Sequence, residues 1–334
     1  MISCLRGAGA EVVEHHVPVW EGGRDNWSAG VRTGVRLAAA EAKLLRRPQE
    51  PFDAVIVGYP GHFDLRAAKR IARGRPVLFN PLVSLHETLV EDRGRFEPGS
   101  VAARALRRVD RRALRRADLV VADTAQNARY FAELGGLAPE RLAVCFVGAE
   151  ERIFKPGWSR PERFHALFVG KLIPLHGIET ILAAARLAPE LPIRVVGSGQ
   201  LDSPLRSRPA NVEWVDWVEY ERLPDELRHC GCALGVFGTS AKAARVIPNK
   251  AFQALACGTP LVTANTPAAR ELLRNDESAL LVPPGNPAAL AAALRRLAAE
   301  PALGRKLGEG GFAAYEANAS ESVLGRQWLE LVQR

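Results

Sequence analysis

The chain lacks three features that would settle its class at a glance: a long apolar run, a cysteine framework and a metal-ligand cluster. No apolar stretch in its 334 residues approaches the roughly 18 that a spanning helix needs, and the opening MISCLRGAGAEVV has no signal-peptide layout. The expected location is therefore cytoplasmic. Five cysteines, Cys4, Cys145, Cys230, Cys232 and Cys257, are scattered mostly through apolar runs with no CxxC pair. An odd, dispersed count argues against disulfides and for reduced core thiols. Cys230 and Cys232, even with His229, do not complete the ligand set of a zinc site, so neither a metal nor another cofactor is expected. Aromatic residues are missing from the densest basic stretch and no nucleic-acid motif occurs, so nucleic acid is not among the expected partners.

A hydrophobic content of 47% suits two domains of ordinary size, each with its own core. The net charge of +8 and a pI of about 9.6 call for an acidic partner. The basic stretch RALRRVDRRALRR, Arg104 to Arg116, places Arg104, Arg108, Arg111, Arg112 and Arg115 on one helical face. Leu106, Val109, Ala113, Leu114 and Ala117 take the other face. This pattern fits a solvated surface helix, or a helix docking on anionic lipid headgroups at the inner face of a membrane.

Short β-rich runs alternate with helical patterns throughout. Strands are expected at Glu11–Val19, Ala54–Gly58, Pro76–Asn80, Leu119–Ala122 and Leu142–Val147. The alternation restarts at Ala166–Gly170 and continues at Ile193–Gly197, Val212–Val215, Ala233–Phe237, Pro260–Ala264 and Leu280–Val282. The expected fold class is α/β, with two Rossmann-like domains of parallel sheet facing across a cleft. The break is placed at Phe154-Lys155-Pro156-Gly157-Trp158, giving residues 1–155, 156–316 and a final helix, 317–334, that crosses back to the first domain.

The segment FGTSAKAARVIPNKAFQALACGTPLVTANTPAARE, Phe237 to Glu271, carries the most chemistry. Its loop bears Ser240, Lys242 and Arg245 before Pro248 opens a helix. The free N–H groups and dipole of that helix favour a diphosphate, and nearby cations add charge-assisted bonds. On the helix, Asn249, Lys250 and Gln253 share a side, while Ala251, Phe252, Leu255 and Ala256 supply apolar surface. Two other loops share this sheet edge: FVGKLIPLHGIETILAA, with Gly170, Lys171 and His176 toward the cleft, and VVGSGQ, whose Gly197 and Gly199 let backbone approach a ligand. In the first half, His62 in GYPGHFD and His86, with Glu87 and Asp92, in NPLVSLHETLVEDR follow strands directly and are candidates near the reacting centre. His15 and His16 read as structural.

The order strand-GK-loop-HG-helix, then VGSG, then PNKAFQALACGTPLV with PAARELL, resembles the second half of family-4 glycosyltransferases of GT-B fold. ADLVVADTAQNARYF and VGAEERIFKP resemble elements of the first half and the linker. The resemblance implies transfer of a sugar from a nucleoside diphosphate donor, with retention of configuration and without a metal, to a saccharide or lipid-linked acceptor in glycan, polysaccharide or glycolipid biosynthesis. The Asp-x-Asp pair typical of GT-A enzymes is absent. It also implies the donor residues Gly170, Lys171, His176, Gly197, Gly199, Ser240, Lys242, Asn249, Lys250 and Gln253, with His62, His86 and Lys171 as catalytic candidates.

Departures accompany the matches. Lys171 and His176 stand where the family places an arginine and a lysine, and Arg245 and Gln253 fall on its Glu-x7-Glu carboxylates. Lys242, Arg245 and Lys250 are candidates to restore the positive charge, and Gln253 can still bond a ribose hydroxyl. IPLHG and VIPNK resemble a subgroup with this pattern. Two other readings remain open: a non-catalytic GT-B homologue acting as a binding scaffold, and a GT-B sugar epimerase or phosphorylase. The family's opening strand is also missing, since the chain begins in what resembles its first helix, and a start upstream of Met1 is expected.

Overall fold

In a computed structural model of the chain, the described residues are 1–17, 36, 39–40, 42–44 and 51–334. They form two parallel sheets. The first runs β1 (Val55–Val57), β2 (Val77–Phe79), β3 (Leu119–Ala122) and β4 (Leu142–Val144), side by side in chain order. The second contains β5 (Ala166–Val169), β6 (Ile193–Val196), β7 (Val212–Val215), β8 (Cys232–Leu234), β9 (Leu261–Ala264) and β10 (Leu280–Val282) in the order β10-β9-β8-β5-β6-β7. Strands buried on both faces read as unbroken apolar runs, which is why VLF, LVVA and ALFV were recognisable.

The second sheet starts at β5 and grows outward in both directions, so β5 and β8 are neighbours from opposite halves of the winding. Between them lies the crevice at which such sheets bind ligands, outside the carboxyl ends of the strands. Among the described residues the first sheet has no such reversal of strand order.

One expected strand is corrected. Glu11 to Val17 forms no strand, and residues 18 and 19 lie outside the described residues. This segment turns back on the helix Ile2–Gly7, where Arg6 bonds the Val12 carbonyl and pairs with Glu14 at 2.9 Å. Its polar side chains, Glu11, Glu14, His15 and His16, stay exposed. No strand precedes Val55 among the described residues.

Apolar layers cover both faces of each sheet. Phe168, Ile178, Ile181, Leu182 and Leu294 build one side of the second domain, and Phe154, Phe252, Leu255, Leu261 and Tyr315 the other. Phe154 thus belongs to the second core. The last helix, Glu321–Val332, returns to the first sheet: Leu324, Trp328 and Leu331 pack with Cys4, Leu5, Leu78 and Val121. Gly325 permits this, because a Cβ there would meet the Cys4 carbonyl at 2.3 Å. All five cysteines are free and buried, and no helix among the described residues is long and apolar enough to cross a membrane.

Candidate functional site

At the crevice, β5 delivers Phe168 into the core and then Gly170 and Lys171 into the loop. A turn of 3-10 helix, Pro174–His176, follows, and Gly177, in the left-handed region, starts the helix Ile178–Leu187. On the other side, β8 leads to a one-turn helix, Ala241–Arg245, capped by Ser240, whose Oγ accepts from the Ala243 N–H at 3.1 Å. Pro248 then introduces the helix Asn249–Ala256.

Three of the expected donor residues meet here. The Nζ of Lys250 reaches across the crevice and sits 3.5 Å from the centre of the Phe168 ring. Burial holds its ammonium pKa well below the usual lysine range. That nitrogen is buried with no hydrogen-bond partner. His176 stands edge-on to the same ring at 5.7 Å between centroids, with its Nδ1 2.5 Å from the Lys171 carbonyl. Burial, and then the neighbouring Lys250, push its pKa well below the usual histidine value. Gly170 makes room for both: a Cβ at that position would lie 2.7 Å from Lys250 Nζ and 3.6 Å from the His176 ring. The result is a desolvated basic group without a counter-ion, a place where an anion would find both charge and hydrogen bonding. Lys171 is exposed at the mouth of this site, as are Ser240 and Asn249.

Other expected donor residues have different surroundings. Gly197 and Gly199 serve the packing of two loops: a Cβ on Gly197 would meet the Gly170 carbonyl at 2.0 Å, and one on Gly199 the Leu172 carbonyl at 2.8 Å. The backbone they approach is the chain's own. Lys242 turns toward the first domain, where its Nζ donates to Thr88 Oγ1 at 3.0 Å and pairs with Asp92 at 3.2 Å. Desolvation lowers its pKa, with Asp92 opposing. In this structure Lys242 is thus spent across the domain seam rather than turned into the crevice. Arg245 is likewise taken up, by Glu87 and by the Tyr130 ring 4.2 Å away. Gln253 is half-buried and bonds Tyr220, which stands edge-on to Phe154.

Of the first-domain candidates, His62 is turned inward. Its Nε2 lies 3.5 Å from Asp110, its Nδ1 3.2 Å from the Pro60 carbonyl, and its ring packs edge-on against Phe79. Burial lowers its pKa and Asp110 opposes that shift. In this structure the His62 ring therefore faces the interior of the first domain, among Asp110, Pro60 and Phe79. His86 is half-buried and pairs with Glu91 at 3.4 Å. The residue that organises this region is Asp110, concealed within the basic helix Val101–Arg116. Its carboxylate accepts from Ser84 Oγ at 2.6 Å, Leu85 N at 2.9 Å and His86 N at 3.0 Å. The signal was one acid on the apolar side of a helix whose other charges are arginines.

Residues 163–300 match the family model described as glycosyl transferases group 1, and residues 3–148 that described as glycosyl transferase 4-like domain. Similar curated proteins include the D-inositol 3-phosphate glycosyltransferase of Thermomonospora curvata, 30% identical over 58% of this chain and 52% of the relative. D-inositol 3-phosphate glycosyltransferase 1 of Catenulispora acidiphila is 27% identical over 85% of this chain and 73% of its own length. The chain thus spans about half the length of the Thermomonospora relative. Among solved structures, sucrose-phosphate synthase from Thermosynechococcus elongatus superposes with a TM-score of 0.69 at 20% identity, covering 90% of this chain and 78% of that one. Anabaena Alr3699/HepE in complex with UDP-glucose gives 0.68 at 18% identity, covering 89% and 82%. These likenesses establish the GT-B fold.

Proposed function

We propose that this chain, a GT-B protein whose two halves match glycosyltransferase models, moves a sugar from a nucleoside diphosphate donor to a saccharide or lipid-linked acceptor, with retention and without a metal. The observation that carries the reading is the buried, unpartnered Nζ of Lys250 beside His176 at the crevice between β5 and β8. The complex of the fold neighbour HepE with UDP-glucose supports uridine as the first base to try.

In this reading the donor diphosphate enters the crevice, and the charge it brings offsets the burial that disfavours the charged form of Lys250. Lys171 adds a cation from the mouth, and the first turn of the helix Asn249–Ala256 adds N–H groups. As the bond to the sugar breaks, negative charge grows on the leaving diphosphate, and these fixed donors stabilise it most at that moment. Gln253, steadied by Tyr220, meets a ribose hydroxyl. His86 lies on the acceptor side, on the segment that Asp110 holds in place. The acceptor hydroxyl attacks from the face the diphosphate leaves.

The test is a melting-temperature panel of UDP, GDP, ADP, CDP and dTDP, followed by incubation with the matching glucose-bearing donor and a product readout by NMR. Stabilisation by one nucleotide and a product of unchanged anomeric configuration are expected. Binding without turnover across a panel of acceptors would favour a scaffold, and donor conversion that needs no acceptor an epimerase.

The helix Val101–Arg116 presents Arg104, Arg107, Arg108, Arg111, Arg112, Arg115 and Arg116 to solvent. Such a surface suits docking at an anionic membrane face near a lipid-linked acceptor. Binding to anionic vesicles should weaken with salt and with replacement of four of these arginines by glutamine; undiminished binding would reject it.

A further inference from the structure

The two domains meet through charge. Glu87 and Asp92 lie at the two ends of a π-helical turn, Glu87–Asp92, in the first domain. Lys242 and Arg245 lie on the one-turn helix Ala241–Arg245 of the second. Glu87 grips Arg245 and Asp92 grips Lys242, and the side chains of both acids and of Lys242 are at most 7% exposed. Three further contacts cross the seam beside them. Thr124 Oγ1 donates to the Arg245 carbonyl at 2.5 Å. The Glu271 carboxylate accepts from Ala125 N at 2.7 Å and Gln126 N at 3.0 Å, closing the N-terminus of the helix Ala125–Gly135.

Asp92 also reaches the donor crevice. While one of its oxygens holds Lys242, the other accepts from Leu175 N at 3.1 Å. Leu175 immediately precedes His176 on the turn Pro174–His176, and His176 shares the Phe168 ring with Lys250. A single carboxylate of the first domain therefore touches both the seam and the turn that shapes the anion site. Seams made of ion pairs and helix caps can reopen, since water replaces each partner when the halves part, which it does not do for an apolar interface.

We propose that Glu87 and Asp92 are positioning residues: with Arg245 and Lys242 they form a reversible latch that sets the first domain, and His86 with it, over the donor crevice. The link to sugar transfer rests on the proposed function; the latch itself does not. In the open state the acids would lose their partners and the turn Pro174–His176 its outer hydrogen bond.

The experiment compares the full chain with Glu87→Gln, Arg245→Gln, Asp92→Asn and the exchanged pair Glu87→Arg/Arg245→Glu. Radius of gyration is read by small-angle X-ray scattering, alongside UDP affinity and, with donor and acceptor, kcat and KM. The single variants should show a larger radius and a kcat lower by roughly tenfold or more, with the KM for donor changed much less. The exchanged pair should return both toward the unmodified values. Asp92→Asn keeps the shape and oxygen acceptor of the side chain, so it judges the latch even if the Glu87 and Arg245 variants do not fold. An unchanged radius in Asp92→Asn, or folded single variants that match the unmodified chain, would overturn the proposal. Loss of compactness without any UDP binding in the unmodified chain would refute the proposed function and leave the latch standing.

Discussion

Replacing Lys250 by methionine should have opposite effects on the empty and the nucleotide-bound protein. Methionine matches the lysine stem out to Cε and removes the nitrogen that sits over the Phe168 ring and is buried without a hydrogen-bond partner. Because burial depresses the folded-state pKa of Lys250, the unfolded chain holds a proton that the folded chain gives up between the folded and unfolded values. Stability therefore rises with pH through that window, and at pH 7 the lysine is a net cost to the empty protein. Lys250→Met should melt higher than the unmodified chain at pH 7, with the gap narrowing toward pH 10. A nucleotide at a hundred times its Kd contributes about 2.7 kcal/mol. For a unit of about 160 residues, at about 2.1 cal/mol/K each, that is a shift of about 8 °C. A lost bond to a charged group weakens binding by about 1.5–3 kcal/mol, or roughly ten- to a hundredfold. At the same nucleotide concentration the variant's shift should then fall to about 1–4 °C. Differential scanning fluorimetry with and without UDP, at pH 7 and 9, reads all four quantities. An undiminished nucleotide shift, or a variant that melts lower than the unmodified chain at pH 7, would refute the reasoning.

Three further outcomes test the surroundings of the site. Gly197→Ala should destabilise by about 2–3 kcal/mol or more in urea melts, because its Cβ would collide with the Gly170 carbonyl, whereas Gly7→Ala, with nothing within 4 Å, should stay within about 0.5 kcal/mol. Asp123 has its pKa raised from 3.8 to about 6 by burial, opposed by the amide of Asn127 and reinforced by Glu271. Its raised value means that stability is full at low pH and is lost as pH rises through about 6, by at most about 3 kcal/mol, so Asp123→Asn should melt higher at pH 8 and converge with the unmodified chain near pH 4. Asp110→Asn should cost about 3 kcal/mol in urea melts, since one amide oxygen cannot serve Ser84, Leu85 and His86 together.

Legibility followed the range of the interaction. β3 and β5 were visible because a strand buried on both faces needs a run of apolar residues in the chain itself, and the basic helix was visible because its arginines recur at helical spacing. Glu11–Val19 misled for the same local reason: its apolar residues suggested a strand, but pairing requires a neighbour, and residues 11–17 turn back on the helix Ile2–Gly7 instead. Lys242 and Lys250 illustrate the limit most sharply. Both are lysines on one loop-helix segment, yet one is buried against Asp92, 150 positions away, and the other against Phe168.

The two α/β halves, the restart of the pattern near Ala166, and the loops that end at the carboxyl edge of the second sheet are legible from residue order alone, because they depend on apolar periodicity and on where Gly and Pro interrupt it. The fold in three dimensions was needed to show which cation is left unpartnered and which are spent across the seam, why Gly197 is glycine, and that Asp110 rather than His62 organises the first-domain loop. Those outcomes turn on contacts within about 4 Å between distant residues, where desolvation and the presence of a partner set the charge, and neither is written in local spacing.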